Sequence, residues 1–410
     1  MDIEGWTELC LGEILCSKND KSKQVKSCEY QLIGLYPIID QSSDFICGYC
    51  DDSKKVINNE LPYTIFGNHT RHTKFVNFPF VVGADGTQII KPIQSVDDRF
   101  FFYLVSDAAN KIGNYGYDRH FKQLREFRCI FPIDKKEQTQ IAQVLSTIDR
   151  AIAQTEAIIA KQQRIKTGLM QDLLTKGIDE NGNIRSEDTH QFKDSAIGRI
   201  PAEWEVEPCG SICKEIIVGI VIRPAQYYKP SGVPVLRSAN VKENTIDFSD
   251  LVYMSEKDND SLSKSRLFAG DLVTVRTGYP GTTAVIPPEL DGCNCVDIVI
   301  SRPDTRQIRA VFLALWINSG FGKKQVLEGQ GGLAQQHFNV GEVRKLLVKV
   351  PTIEEQSRIE FFLLTQSNSL WKYQQHLRKL HRLKTGLMQD LLTGKVRVTN
   401  LLKEKEPASG

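Results

Sequence analysis

Two long stretches of this chain place apolar and polar residues in steps of four and three. The first carries Ile141, Leu145, Ile148, Ile152, Thr155, Ile159 and Gln162; the second carries Ile359, Leu363, Gln366, Leu370, Tyr373, Leu377 and Leu380. Sustained spacing of 3.5 residues is the a/d seam of a coiled coil. Each stretch opens on a capping-box pattern, Asp134 with Glu137 and Thr352 with Glu355, just after a proline. Each closes near a glycine suited to the left-handed residue after a helix, Gly177 and Gly394. The pattern predicts a helix from about residue 135 to 175, roughly 60 Å long at 1.5 Å per residue, and a similar one after Thr352. Seams this long need a partner, and each helix is the nearest partner of the other.

The two stretches are copies. Lys166-Thr-Gly-Leu-Met-Gln-Asp-Leu-Leu-Thr175 recurs letter for letter as Lys384 to Thr393, at an offset of 218. Glu137-Gln138 answers Glu355-Gln356 at the same offset, and Trp6, Gly12 and Ile14 correspond to Trp204, Gly210 and Ile212. A period this long, present twice, indicates a duplicated domain pair. The blocks between the helices share little sequence. Short β-rich runs divided by Gly, Pro and Asn fill both: Tyr63–Phe66, Lys74–Val76, Phe80–Val82 and Gln88–Ile90 in the first; Val233–Arg237, Asp271–Arg276, Thr283–Ile286 and Val296–Ile300 in the second. The run from Phe100 to Tyr103 starts a helix, and Ala310–Ile317 forms one. The expected fold is α+β: two α/β blocks, residues 1–134 and 196–351, separated by two long helices that pair as an antiparallel coiled coil with a pseudo-twofold internal repeat. Residues 135–195 form the central helix and linker, and 352–410 the C-terminal helix and tail.

With 410 residues, 41% hydrophobic and 25% charged, the composition is that of a globular chain rather than a disordered one. No run approaches the roughly 20 apolar residues that span a bilayer. Asp2, Glu4, Glu8 and Glu13 argue against a secretory leader, so a cytoplasmic location without a membrane is expected. The ten cysteines are irregularly spaced and are expected to stay reduced; Cys47-Gly-Tyr-Cys50 has ligand spacing but lacks a second pair, so no metal is expected. Net charge is +2, distributed as −3, 0, +1 and +4 over 1–134, 135–195, 196–351 and 352–410. A stand-alone nucleic-acid binder is usually more basic, so DNA binding would require charge gathered on one face or partners that share the phosphates.

Catalytic motifs fail one by one. Asn77-Phe-Pro-Phe80 lacks the first proline of an amino-methyltransferase loop, and no glycine-rich cofactor loop follows a strand. There is no Walker A loop. Pro303-Asp304 lacks the following Glu/Asp-x-Lys of a Mg²⁺ nuclease. Recognition chemistry is more abundant. Three polar, glycine-flexed stretches supply Asn68, His69, Arg71, His72 and Lys74; Arg276, Thr277 and Tyr279; and Gln330, Gln335, Gln336 and His337, with Arg237 ending a strand. Arginine reads guanine, and Asn or Gln reads adenine, by paired hydrogen bonds in the major groove. A polar surface loop would look the same in sequence.

Two divergent blocks, each followed by a helix ending in Lys-Thr-Gly-Leu-Met-Gln-Asp-Leu-Leu-Thr, resemble a specificity subunit of type I restriction–modification systems. Gly198-Arg-Ile-Pro-Ala-Glu-Trp204, Gly270 to Arg276, Pro351 to Gln356, Phe78-Pro-Phe80 and Ala84-Asp-Gly-Thr87 are similar to segments of that family. The resemblance implies two target recognition domains, each reading one half of a split double-stranded DNA site. It implies docking of methyltransferase subunits, two of them, that bind S-adenosylmethionine, and of translocase–nuclease subunits that use ATP and Mg²⁺. This chain itself would hold no cofactor and no catalytic residue. A coiled-coil adaptor with two protein-binding heads is the competing expectation.

Overall fold

The computed structural model describes residues 3–83, 85–113, 119–329 and 338–403. They form two compact units: residues 1–157 together with 374–410, and residues 158–373. Each unit thus joins one sequence block to a half of each long helix.

The units repeat one topology. In the first, an antiparallel sheet runs in the order Leu15–Ser17, Thr87–Pro92, Tyr63–Gly67, Thr73–Val76. In the second, the order is Cys213–Val218, Ile298–Pro303, Leu272–Val275, Thr283–Val285. Both sheets set the strand that comes first in sequence at an edge, beside the one that comes last. A second small sheet also recurs. Tyr36–Ile39 runs parallel to Phe80–Gly83 and antiparallel to Gly48–Cys50. Val233–Leu236 runs parallel to Asn294–Cys295 and antiparallel to Val252–Met254. A helix then covers each unit, Asp98–Lys111 or Ala310–Asn318. A closing strand, Arg128–Pro132 or Leu347–Val350, pairs back onto Trp6–Cys10 or Glu205–Pro208.

The two long helices are Lys135–Leu173 and Ile353–Leu392. In the first unit Ile141 and Leu145 lie in one core with Leu391, Leu392, Phe100 and Leu104, and Asp149 meets Lys384 at 2.6 Å. In the second unit Leu173 and Leu174 share a core with Ile359, Leu363, Trp204 and Phe312, and Gln162 bonds Gln366. Rising numbers on one helix meet falling numbers on the other within each unit, so the pairing is antiparallel. Each fully buried Leu or Phe contributes about 1.5–3 kcal/mol, which is how a seam with polar interruptions still holds.

The capping boxes form only in part. Asp134 Oδ1 accepts from Lys136 N at 2.9 Å, and Thr352 Oγ1 accepts from Glu355 N at 3.3 Å. The glutamates do not turn back to their own caps. Glu137 takes Arg397 by two hydrogen bonds, 2.6 and 2.8 Å. Glu355 takes Arg185, Trp204 Nε1 at 3.0 Å and the Ile178 amide at 2.8 Å. A guanidinium offers a buried carboxylate more than one backbone amide can, through charge-assisted, two-pronged bonding. The neighbouring glutamines act alike in both copies. Gln138 accepts from Asp97 N, the cap of Asp98–Lys111, and donates to the Pro132 carbonyl; Gln356 accepts from Arg309 N, the cap of Ala310–Asn318, and donates to the Pro351 carbonyl. Gly177 and Gly394 take φ of 69° and 70°. A Cβ on Gly177 would lie 2.5 Å from Trp204, and one on Gly394 2.6 Å from Ile3. The Glu-Gln pair, the glycine and the tryptophan therefore form one clasp, built twice.

Candidate nucleic-acid interface

Two of the three polar stretches occupy the same place in the two units. Residues 68–72 connect Tyr63–Gly67 to Thr73–Val76, and residues 276–282 connect Leu272–Val275 to Thr283–Val285. These are equivalent antiparallel hairpins of the duplicated sheet. The first turn is closed by Gly67 N to His72 O and Arg71 N to Gly67 O, both 2.8 Å, with Arg71 in the left-handed region at φ 61°. The second is closed by Val275 N to Thr282 O at 2.9 Å and Gly281 N to Val275 O at 3.0 Å, with Gly278 and Gly281 both at φ 84°. Those positive φ values explain why both loops punctuate with glycine or tolerate strain.

Not every predicted residue is presented outward. Asn68 is buried; its Oδ1 accepts from Phe121 N at 2.8 Å, while its carbonyl accepts from His120 N at 2.9 Å. Lys74 is buried as well, donating to the Asp44 carbonyl beside Cys47 Sγ at 3.7 Å and Asp40 at 3.9 Å. Their polar atoms are spent inside the unit, where an unpaired ammonium or amide would be costly, so both hold the loop in place. His69 and Arg71 are half-buried and His72 is exposed. Arg71 Nη1 donates to the Ile112 carbonyl at 2.8 Å.

The organiser of this loop is a residue that sequence reasoning did not single out. Gln41 accepts from His69 N through Oε1 at 3.1 Å, and its carbonyl takes the Thr70 hydroxyl and faces His72 Nδ1 at 3.3 Å. Its only sequence signal is a polar run, Asp40 to Asp44, directly after a strand. Burial and donation to Asp40 push the Cys47 thiol upward, away from thiolate chemistry.

In the second unit Arg276 pairs with Asp297, Thr277 is half-buried, and Tyr279 is 84% exposed at the tip of the loop. Arg237 follows Val233–Leu236 and pairs with Asp250 at 2.8 Å. Phe338 N donates to the Arg276 carbonyl at 3.2 Å, as His120 N does to Asn68 in the first unit. Gln330, Gln335, Gln336 and His337 lie outside the described residues. Among the described residues no group of three or more His, Cys, Asp or Glu could hold a metal ion, and no helix is long and apolar enough to cross a membrane.

Comparison with known proteins shows what this chain is similar to. Residues 3–163 match the family model of the type I restriction modification DNA specificity domain. The MjaVIII specificity subunit of a type I restriction enzyme from Methanocaldococcus jannaschii is 24% identical, over 97% of this chain and 94% of its own length. The fold resembles the crystal structure of the S subunit of a type I restriction–modification system from M. genitalium, with a TM-score of 0.60, 14% identity, and 94% and 96% of the two chains covered. A second solved chain, from work on complex assembly and conformational transition of the type I system, aligns with a TM-score of 0.55 and 16% identity over 96% of this chain and 99% of its own. The chain is thus similar along nearly its whole length to type I restriction–modification specificity subunits, and its residues 3–163 match their DNA specificity domain.

Proposed function

We propose that this chain supplies the DNA sequence specificity of a type I restriction–modification complex. The observation that carries the reading is the duplicated hairpin: two polar loops of different sequence, at one position of one repeated fold, on units clasped to shared helices. Different loops on equal scaffolds are what two unlike half-sites require. In the first unit His69, Arg71 and His72 face the DNA; in the second, Arg276, Thr277 and Tyr279 do, with Arg237 beside them. Guanidinium and imidazole groups on a rigid hairpin pair with base edges in the major groove, and a tyrosine adds stacking or a phosphate contact. The near-neutral charge fits a subunit that shares phosphate contacts with partners. Those partners are two methyltransferase subunits, which carry S-adenosylmethionine and the chemistry on a flipped adenine, and translocase–nuclease subunits using ATP and Mg²⁺. Catalysis resides on them, and this chain positions it.

The test is co-expression with the methyltransferase in a methylation-free host, followed by mapping of modified adenines. A split motif with an unspecified gap is expected. Modification without a sequence motif, from an assembled complex, would overturn the reading.

A further inference from the structure

Lys166 and Lys384 stand at the same place in the repeated decapeptide, and the two units treat them differently. In the first unit Asp149 binds the Lys384 ammonium at 2.6 Å and also accepts from the Tyr103 hydroxyl at 2.6 Å. In the second unit both partners change. The residue 218 positions after Asp149 is Ser367, whose hydroxyl turns back to the Leu363 carbonyl at 2.8 Å. Tyr103 is the sixth residue after the cap Asp97; the sixth after the cap Arg309 is Leu315, which is buried. Lys166 is half-buried and has neither an ion-pair nor a hydrogen-bond partner among the described residues. An ammonium has three protons to donate and nothing to accept. The duplicate therefore shows what satisfies this position: an anionic oxygen.

Lys166 lines a cavity of about 540 Å³ within the second unit. Lys323 and Lys324 line it too, against one carboxylate, Glu243, which Lys323 binds. Lys324 spends little on Glu328, at 3.8 Å between two exposed side chains. The wall is thus positively charged, and Gln163 and Gln171 add neutral donors. Its aromatic ring, Phe321, is stacked on Trp316 and faces Lys349, so no free ring is left to stack a base. A bare phosphate suits these walls better than a nucleotide.

The cavity also stands beside the second hairpin. Two wall residues grip Thr283, the first residue after the loop 276–282. Asn318 bonds its amide at 3.0 Å and its carbonyl at 2.7 Å, and Asn244 N donates to that carbonyl at 2.9 Å. Tyr279, at the tip of the loop, is four residues away, at most about 13 Å of extended chain. The major groove is about 8.5 Å deep. With the tip at the groove floor, the cavity lies beside the phosphate rim.

We propose that Lys166 seats a backbone phosphate of the DNA beside the second hairpin, and that Asp149 fills the same place from within in the first unit. Such a contact fixes register and carries no sequence information. This rests on the DNA-specificity reading and assigns to it a positioning contact on a long helix.

The test measures affinity of the complex with methyltransferase for a duplex carrying the methylated motif and for an unrelated duplex, over a range of salt. Lys166→Gln is expected to weaken both by the same factor, about tenfold. The slope of log K against log salt is expected to fall by about 0.9, with the methylated motif unchanged. Ser367→Asp copies the carboxylate of the first unit and is expected to lower the slope likewise, with Lys166 still present. Lys384→Gln removes an ammonium that is already paired and is expected to leave the slope unaltered. A scan of single, uncharged methylphosphonates is expected to find one position near the second half-site that costs the wild type affinity but not Lys166→Gln. An unchanged slope in Lys166→Gln, an equal fall in Lys384→Gln, or a changed motif would overturn the proposal. So would a scan without such a position in which Lys166→Gln loses binding of inorganic phosphate, since a free anion would then occupy the site. A wild type that binds every duplex alike sinks the specificity reading, and the slope of Lys166→Gln still decides the seat. A wild type that keeps its motif while the slope stays fixed in the variant sinks only the seat.

Discussion

Glu355 shows what one carboxylate can hold together. It is 2% exposed and receives Arg185, Trp204 and the Ile178 amide from three segments of the second unit. Arg185 is itself buried, and its other carboxylate, Glu203 at 3.6 Å, is largely exposed, so Glu355→Ala strips the guanidinium of its buried counter-charge, at a cost of about 3–5 kcal/mol. The duplicate, Glu137, pairs with an Arg397 side chain that is 31% exposed. Water can reach that arginine, so Glu137→Ala should cost less, about 1.5–3 kcal/mol. Calorimetric melting of both variants checks the order; an equal loss would show that the two clasps are not graded by burial. Lys349 makes a second residue-scale prediction. It is buried, donates to the Arg199 carbonyl at 3.2 Å and faces Phe321, and burial lowers its pKa to about 8 from 10.5. The folded state therefore binds its proton less tightly than the unfolded state. Its penalty is fully present below pH 8 and is relieved as pH rises from 8 to 10.5. Lys349→Met should remove that rise from the stability profile between those pH values, measured by urea denaturation. A wild-type profile with the same slope as the variant would refute the assignment.

Among the elements, periodic ones were legible and partnered ones were not. The seams repeat one spacing for seven positions and appear twice, so both helices could be read to within a few residues: about 135–175 was expected and Lys135–Leu173 is found. Hairpin strands such as Tyr63–Gly67 and Leu272–Val275 are fully buried apolar runs between turn residues, and they too were visible. Trp6–Cys10 has no such pattern, because it is a half-buried strand whose order comes from Arg128–Pro132, over a hundred residues away. The destinations of Glu137 and Glu355 were hidden for the same reason: local rules predict a local cap, and a distant arginine outbids it. Asn68 and Lys74 show the opposite error, where residue type suggested recognition and burial assigned support. The long helices also carry an element-scale prediction. Both pass from one compact unit into the other at about residues 157 and 373. Inserting four residues, about one turn, near Ala157 is expected to change the gap between the two half-sites of the methylated motif while leaving both half-sites intact. A changed half-site would count against helices acting as the spacer.

At the scale of the whole molecule, duplication was the clearest message of the sequence, and the structure extends it from the helices to blocks that share almost no letters. Ten identical residues revealed the repeat, and the paired clasps reuse Glu-Gln, Trp and Gly in both copies, yet the repeated strand order and the matching hairpins have no counterpart in residue identity. Backbone topology is preserved by burial pattern alone, and that leaves the loops free to diverge. The division into units has a further expected outcome. Ending the chain after Leu392 removes Gly394 and Arg397, which meet Trp6, Glu4 and Glu137. Hydrogen exchange should then speed up in Asp98–Lys111 and stay unchanged in Ala310–Asn318; equal acceleration in both would show that the units do not fold independently.

That same division sets a timetable for the ribosome. The second unit is a single stretch, residues 158–373, and every part of it has been synthesised before the helix Ile353–Leu392 is complete. The first unit begins at the start of the chain but closes only with residues 374–410. At roughly 5–20 residues per second, about 10–40 s of translation separate its two pieces. During that interval the surface under Leu391 and Leu392, with Ile141 and Leu145 in it, waits uncovered. The half of the protein made first is thus the half finished last, and a nascent chain is exposed to chaperones and proteases at its beginning until its end arrives.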